Sequence, residues 1–260
     1  MGSPEVITGT PICRRAAFVL DKFLANQREI QQAYPDCRMV LATDEPDFVA
    51  ELEEQIELHH LKGEVITYET VKPDYARSRI WSVTCGREAI RQYALLQGAE
   101  YLLCLDGDMV YEPSLISIMK EKIQGFDVAY SGFRFRRRGT LGFGTSCFMI
   151  NRKILSKITF RCYEFRNGQE LDDGESIFLE LFRYHARLNK GFFLPIKHYR
   201  NSQEYYAVEP QAMRWYQTLT HILLVRYILT MAAVLTRYNI ARKLHILLYR
   251  KAGFISKDRR

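Results

Sequence analysis

Short apolar runs alternate along the chain with longer stretches in which apolar residues recur every three or four positions. The first pattern predicts strands buried in a sheet, the second helices with one apolar face. Glu5–Thr8, Arg38–Thr43, Val65–Tyr68, Tyr101–Leu105, Asp127–Phe133, Ser146–Asn151 and Phe192–Tyr199 read as strands. Between them, Arg14–Tyr34, the segment after Pro46 to about Leu61, Arg87–Gln97, Glu112–Lys122 and Gly174–Leu188 read as helices. The last of these is expected to close at Asn189-Lys190-Gly191. Such alternation predicts an α/β fold, a mostly parallel sheet flanked by helices. From Met213 the texture changes: Ile222–Leu235 is strongly apolar but interrupted by Arg226 and Thr230, and basic helix-like sequence follows to Lys251.

The fourth strand, Tyr101-Leu102-Leu103-Cys104-Leu105, ends in Asp106-Gly107-Asp108-Met109. In open α/β sheets ligands bind at the carboxyl ends of strands. Two close carboxylates repel, so the pair stays ionised more readily beside a cation. A hard divalent ion that also binds substrate phosphates suits them. The alternative is a turn into the next helix, since Asp-Gly is a turn dipeptide.

Composition is that of a globular protein, 47% hydrophobic and 26% charged over 260 residues,. The six cysteines show no C-x-x-C spacing, which argues for reduced packing residues of an intracellular protein against a disulfide framework or zinc site,. Glu5-Val6-Ile7-Thr8 already reads as a strand, so no signal peptide is expected,. The net charge of +7 is uneven: residues 214–260 carry ten Lys/Arg and one acidic residue, a local +9. Residues 1–213 are thus close to neutral, which argues against a nucleic-acid-binding body and for a tail that meets something anionic. The division expected is a catalytic domain over 1–212 and a basic amphipathic helical tail over 213–260. Arg226, Thr230 and Arg237 fall near one helical face. That suits either an interfacial helix on an anionic membrane or a hairpin packed on the body or on a second copy in a homo-oligomer.

Further polar residues stand at strand ends. Thr8-Gly9-Thr10-Pro11 follows strand one, where a nucleotide would lie, and Asp44 follows strand two, placed to accept from a base or ribose. Leu171-Asp172-Asp173-Gly174-Glu175 opens a helix, and His198 follows Phe192–Ile196. Asp172 or Asp173 also suits a helix cap, and His198 beside Lys197 also suits a surface histidine. Phe133-Arg134-Phe135-Arg136-Arg137-Arg138-Gly139 is either a phosphate-binding segment or a solvated basic loop,. Gly142-Phe143-Gly144 reads as a flexible acceptor-side loop, and Tyr205-Tyr206 as a lid or as packing.

In these features the sequence resembles the GT-A (Rossmann-like) glycosyltransferases, most nearly family 2. Thr8–Arg15 looks like that family's strand-then-"P-T-Y-N-R" start, Arg87 like its arginine before the aspartate strand, and Leu105–Met109 like its D-x-D. Asp172–Glu175 looks like its "E-D-x-D/E" segment, and His198 like a histidine that often completes its metal site. The resemblance covers residues 5 to about 200. It departs at Asp44-Glu45-Pro46, which is not the usual acidic-Ser stretch, and at Asp172-Asp173 where Glu-Asp is commoner.

The resemblance implies a metal-dependent hexosyltransferase moving a sugar from a nucleotide-diphosphate sugar to a hydroxyl on a glycan or lipid-linked acceptor. Thr8, Thr10, Pro11, Asp44, Arg87 and Asp106 would contact the donor. Asp106, Asp108 and His198 would hold Mn²⁺ or Mg²⁺, and Asp173 would be the base of an inverting transfer. A cytoplasmic site, peripheral on the membrane face, is expected. Two alternatives stand: a sugar-phosphate nucleotidylyltransferase, whose glycine-rich loop after strand one is missing here, and a non-catalytic nucleotide-sugar-binding scaffold.

Overall fold

The computed structural model describes residues 3–70, 80–134, 141–164, 173–208 and 255–256. In chain order the elements are β1 (Val6–Pro11), α1 (Leu20–Ala33), β2 (Cys37–Thr43), α2 (Val49–Leu58), β3 (Gly63–Thr67) and α3 (Ile80–Leu96). Then come β4 (Tyr101–Leu105), β5 (Met109–Tyr111), α4 (Leu115–Ile123), β6 (Val128–Arg134), β7 (Leu141–Asn151) and α5 (Arg152–Leu155). The remainder are β8 (Tyr163–Glu164), α6 (Asp173–Arg183), β9 (Leu188–Phe193), β10 (Ile196–Tyr199), β11 (Tyr205–Val208) and β12 (Ile255–Ser256).

The main sheet has seven strands in the order β3-β2-β1-β4-β7-β6-β9. Every strand runs the same way except β7, which is antiparallel to β4 and β6. This is the mostly parallel sheet flanked by helices expected from the sequence. Both faces are covered, so the strands are apolar on both sides. Val6, Met39, Leu41, Leu103 and Leu105 pack with Phe23, Leu24, Leu52, Leu115 and Met119 of α1, α2 and α4. Ile7, Val40, Leu102, Phe148 and Ile150 pack with Ile90, Ala94, Ile154, Ile177 and Leu181 of α3, α5 and α6.

Several sequence expectations are corrected. β1 runs on to Pro11. Gly9 is an interior strand residue, because α3 lies so close that a Cβ there would stand 2.3 Å from Ile90 Cγ2,. Gly142-Phe143-Gly144 is not a loop: it is strand β7, paired with Gly132 and Phe133 of β6. Helix α6 stops at Arg183, with His185 in the left-handed region at φ 55°. Leu188–Phe193, including Asn189-Lys190-Gly191, is a strand beside β6, where a register shift opposite Ala129–Ser131 takes up the extra residue,. Tertiary pairing here overrides the turn propensity of Asn-Lys-Gly.

The expected last strand is likewise two strands. β9 ends before Pro195, and β10 leaves for a second sheet, ordered β11-β10-β5, at the carboxyl end of the first. The tail over 213–260 lies outside the described residues except Ile255–Ser256, which pair antiparallel with β8. Among the described residues no helix is long and apolar enough to cross a membrane.

Candidate active site

The carboxyl end of β4 is closed by a tight turn. Asp106 donates its N–H to Ser146 O at 3.1 Å and to the Tyr111 hydroxyl at 3.0 Å, and Met109 N–H returns to Asp106 O at 3.3 Å. Arg87, on α3 and only 3% exposed, donates through Nη2 to Asp106 Oδ1 at 3.1 Å and to Thr145 O at 3.0 Å. The first carboxylate of the Asp-Gly-Asp turn is therefore held by a buried guanidinium, a charge-assisted contact.

The second carboxylate points to a different partner. β5 pairs with β10 so that Met109 faces His198, and Tyr199 N–H donates to Asp108 O at 2.9 Å. That register carries His198 Nε2 to 3.4 Å from Asp108 Oδ2. His198 is 7% exposed, which excludes the surface-histidine reading. A long hydrogen bond fits this separation. So does a shared cation, since adjacent ligands about 2.1 Å from one ion stand roughly 3–3.5 Å apart. Among the described residues no group of three or more His, Cys, Asp or Glu gathers around one point suited to a metal. An ion of the Mg²⁺ type is commonly held by one or two side chains plus substrate phosphates and water, so a cluster of three is not required for such a site.

The other expected residues divide. Asp44 stands after β2, and its Oδ2 accepts from Thr70 Oγ1 and, at 2.9 Å, from Ser82 Oγ. Ser82 Oγ in turn lies 3.0 Å from the Tyr68 hydroxyl. Pro11 is half-buried at the end of β1, against Gly86, where a Cβ would meet Pro11 Cβ at 3.0 Å. Thr8 lies mid-strand, 1% exposed, with its hydroxyl donated to Gln27 Oε1 of α1 at 3.3 Å. Thr10 is also 1% exposed and faces the core below Gly107, where a Cβ would meet Thr10 Cγ2 at 3.3 Å. Both follow from the extra length of β1, which moves the strand end to Pro11. Asp173 is the first residue of α6, with only its backbone described. Asp172 and Arg136–Arg138 lie outside the described residues. Tyr205-Tyr206 is strand β11, in which Tyr206 pairs with His198.

Sequence reasoning missed Tyr111 and Asn26. The buried Tyr111 hydroxyl lies 2.9 Å from Ser146 O and 3.2 Å from Asp106 O, and burial pushes its pKa well up, so it stays a neutral phenol,. Asn26 binds the Tyr111 backbone from α1. Its signal was present as an amide on the same helical face as Phe23 and Ile30,.

No protein-family model matches this chain, and no curated protein matches it. Solved structures do match. A mannosyltransferase, PcManGT from Pyrobaculum calidifontis in complex with GDP-Man and Mn²⁺, is 14% identical with a TM-score of 0.49, over 72% of this chain and 54% of that one. S. aureus TarS 1–349 in complex with UDP-GlcNAc is 12% identical with a TM-score of 0.49, over 82% and 60%. The galactosyltransferase LgtC, in complex with donor and acceptor sugar analogs, is 16% identical with a TM-score of 0.46, over 71% and 72%. The chain spans little more than half the length of the first two. The mostly parallel α/β architecture is defined by the strand order itself.

Proposed function

We propose that this protein is a metal-dependent glycosyltransferase that moves a sugar from a nucleoside-diphosphate sugar to a hydroxyl acceptor. One observation carries the reading: Asp108 and His198, far apart in sequence, meet at 3.4 Å where β4 ends, beside an Asp106 held by Arg87. Acidic and imidazole donors at the carboxyl edge of a parallel sheet suit a nucleotide-bound divalent ion. Bound there, Mn²⁺ or Mg²⁺ supplies Lewis-acid neutralisation of the leaving diphosphate.

The chain's own residues do the rest. Arg87 steadies Asp106 through Oδ1, and Asp106 meets the ribose or a metal-bound water. Asp44, steadied by Ser82 and Thr70, receives the base or ribose, and Pro11 shapes the wall at the end of β1. Asp173, opening α6, takes the acceptor proton in a single displacement that inverts the sugar; a carboxylate within reach of that hydroxyl is what such a step requires. The glycan or lipid-linked acceptor, and a peripheral cytoplasmic location through the basic tail, belong to the same reading.

The test is calorimetry and thermal shift with UDP-, GDP- and dTDP-sugars, with and without Mn²⁺. At least one donor should bind in a cation-dependent way, and Asp108→Ala or His198→Ala should weaken that binding by about tenfold to a hundredfold. No cation-assisted uptake of any donor by the wild-type protein would overturn the proposal.

A further inference from the structure

Asn26 is 3% exposed on α1, and its side chain treats Tyr111 as a neighbouring strand would. Nδ2 donates to Tyr111 O at 2.7 Å, and Oδ1 accepts the Tyr111 N–H at 2.8 Å. Nδ2 also lies 3.4 Å from Glu29 Oε2. A buried peptide group needs both partners, and β5, at three residues, is too short to hold its place on pairing with β10 alone,. The amide closes the side of β5 that β10 leaves open.

The two ends of Tyr111 then bracket the Asp-Gly-Asp turn. Its hydroxyl accepts the Asp106 N–H at 3.0 Å, and its single proton goes to Ser146 O at 2.9 Å or Asp106 O at 3.2 Å. Its backbone is fixed by Asn26, while the β5–β10 register places Met109 opposite His198. Movement of β5 along α1 would thus change the Asp108–His198 separation without touching either side chain.

We propose that Asn26 is a positioning residue that sets, through Tyr111, the affinity of Asp108 and His198 for a divalent cation with a nucleoside diphosphate; this rests on the metal-dependent transferase reading. The same helix supplies its own control. Gln31 makes an equivalent amide clamp on Lys62, with Nε2 to Lys62 O at 2.8 Å and Lys62 N–H to Oε1 at 2.8 Å. Lys62 precedes β3, at the opposite end of the sheet from the Asp106 turn.

Mn²⁺ is titrated with UDP and with GDP, free ion is read by electron paramagnetic resonance, and melting temperature is recorded for wild type, Asn26→Ala, Tyr111→Phe and Gln31→Ala. Asn26→Ala and Tyr111→Phe should weaken Mn²⁺ retention about tenfold to a hundredfold, the range for groups that orient ligands. Gln31→Ala should lower the melting temperature and leave Mn²⁺ affinity at the wild-type value. Unchanged affinity in folded Asn26→Ala overturns the role of Asn26 alone. If that variant does not fold, unchanged affinity in Asn26→Ser, too short to reach both the Tyr111 N–H and O, overturns it instead. Wild-type protein that retains no Mn²⁺ with either nucleotide overturns the transferase reading, and this inference with it.

Discussion

In the proposed transfer, Asp173 is the residue whose role separates reaction from binding. As the proposed base it would act on the acceptor, not the donor. Asp173→Asn should therefore lower turnover by about 10²–10⁴ while cation-dependent donor binding holds at the wild-type level. A parallel loss of donor binding would mean that Asp173 shapes the pocket instead. The cysteines make a simpler case. Cys37, Cys104, Cys147 and Cys162 are buried and Cys13 and Cys85 half-buried. Burial pushes the Cys37 and Cys104 thiols up to about 12, and Cys147 further in the same direction. Since only the thiolate reacts, a colorimetric thiol reagent at pH 8 should modify Cys13 and Cys85 in the native protein and all six after denaturation. Native reaction at Cys104 would show that β4 opens on the timescale of the assay.

At the scale of elements, Asp127 ties three strands together ahead of β6. It accepts from Arg187 N–H at 2.8 Å, Arg187 Nε at 3.3 Å and Asn151 Nδ2 at 3.4 Å. Burial pushes its carboxyl up, but the hydrogen bonds from Arg187 and Asn151 outweigh this and hold it below the usual value,. A folded-state pKa below the unfolded one contributes stability that is complete above the unfolded value, about 3.9. That contribution disappears as pH falls through the folded value. Urea midpoints measured from pH 7 to 3 should fall more steeply for wild type than for Asp127→Asn; equal slopes would rule the contribution out.

The legibility of the chain divides along the same scale. β2, β4 and the Asp-Gly-Asp turn were plain, because an uninterrupted apolar run and its punctuation are local signals. β5 was not: three residues, Met109–Tyr111, carry no period, and their strand state depends on His198 and Asn26, both distant in sequence. The first two turns of α3, from Ile80, were missed because residues before Arg87 show a weaker apolar stripe. Thr8 looked like a ligand contact because Gly9-Thr10-Pro11 resembles a turn, whereas Gly9 serves the approach of Ile90. Asp108 and His198 were each named from order along the chain, but their meeting was a matter of register that no local pattern encodes.

For the whole molecule, charge is the property left over once the fold is assigned. The body is close to neutral and residues 214–260 carry +9. Such a segment attracts anionic lipid with about 1 kcal/mol per basic residue near the surface, screened by salt. The protein should bind phosphatidylserine-containing vesicles at low ionic strength and release them as salt rises, and a chain ending at 212 should lose that binding. Equal sedimentation with vesicles for both forms would leave self-association as the role of the tail.

The reversed direction of β7 has an evolutionary corollary. Because β6 runs with its neighbours and β7 against them, β6 ends and β7 begins at the rim where β4 ends. A change of chain length between these two strands would leave every rung of the seven-stranded ladder in step. The rim of the sheet is thereby free to diverge among descendants of this scaffold without renegotiating its interior.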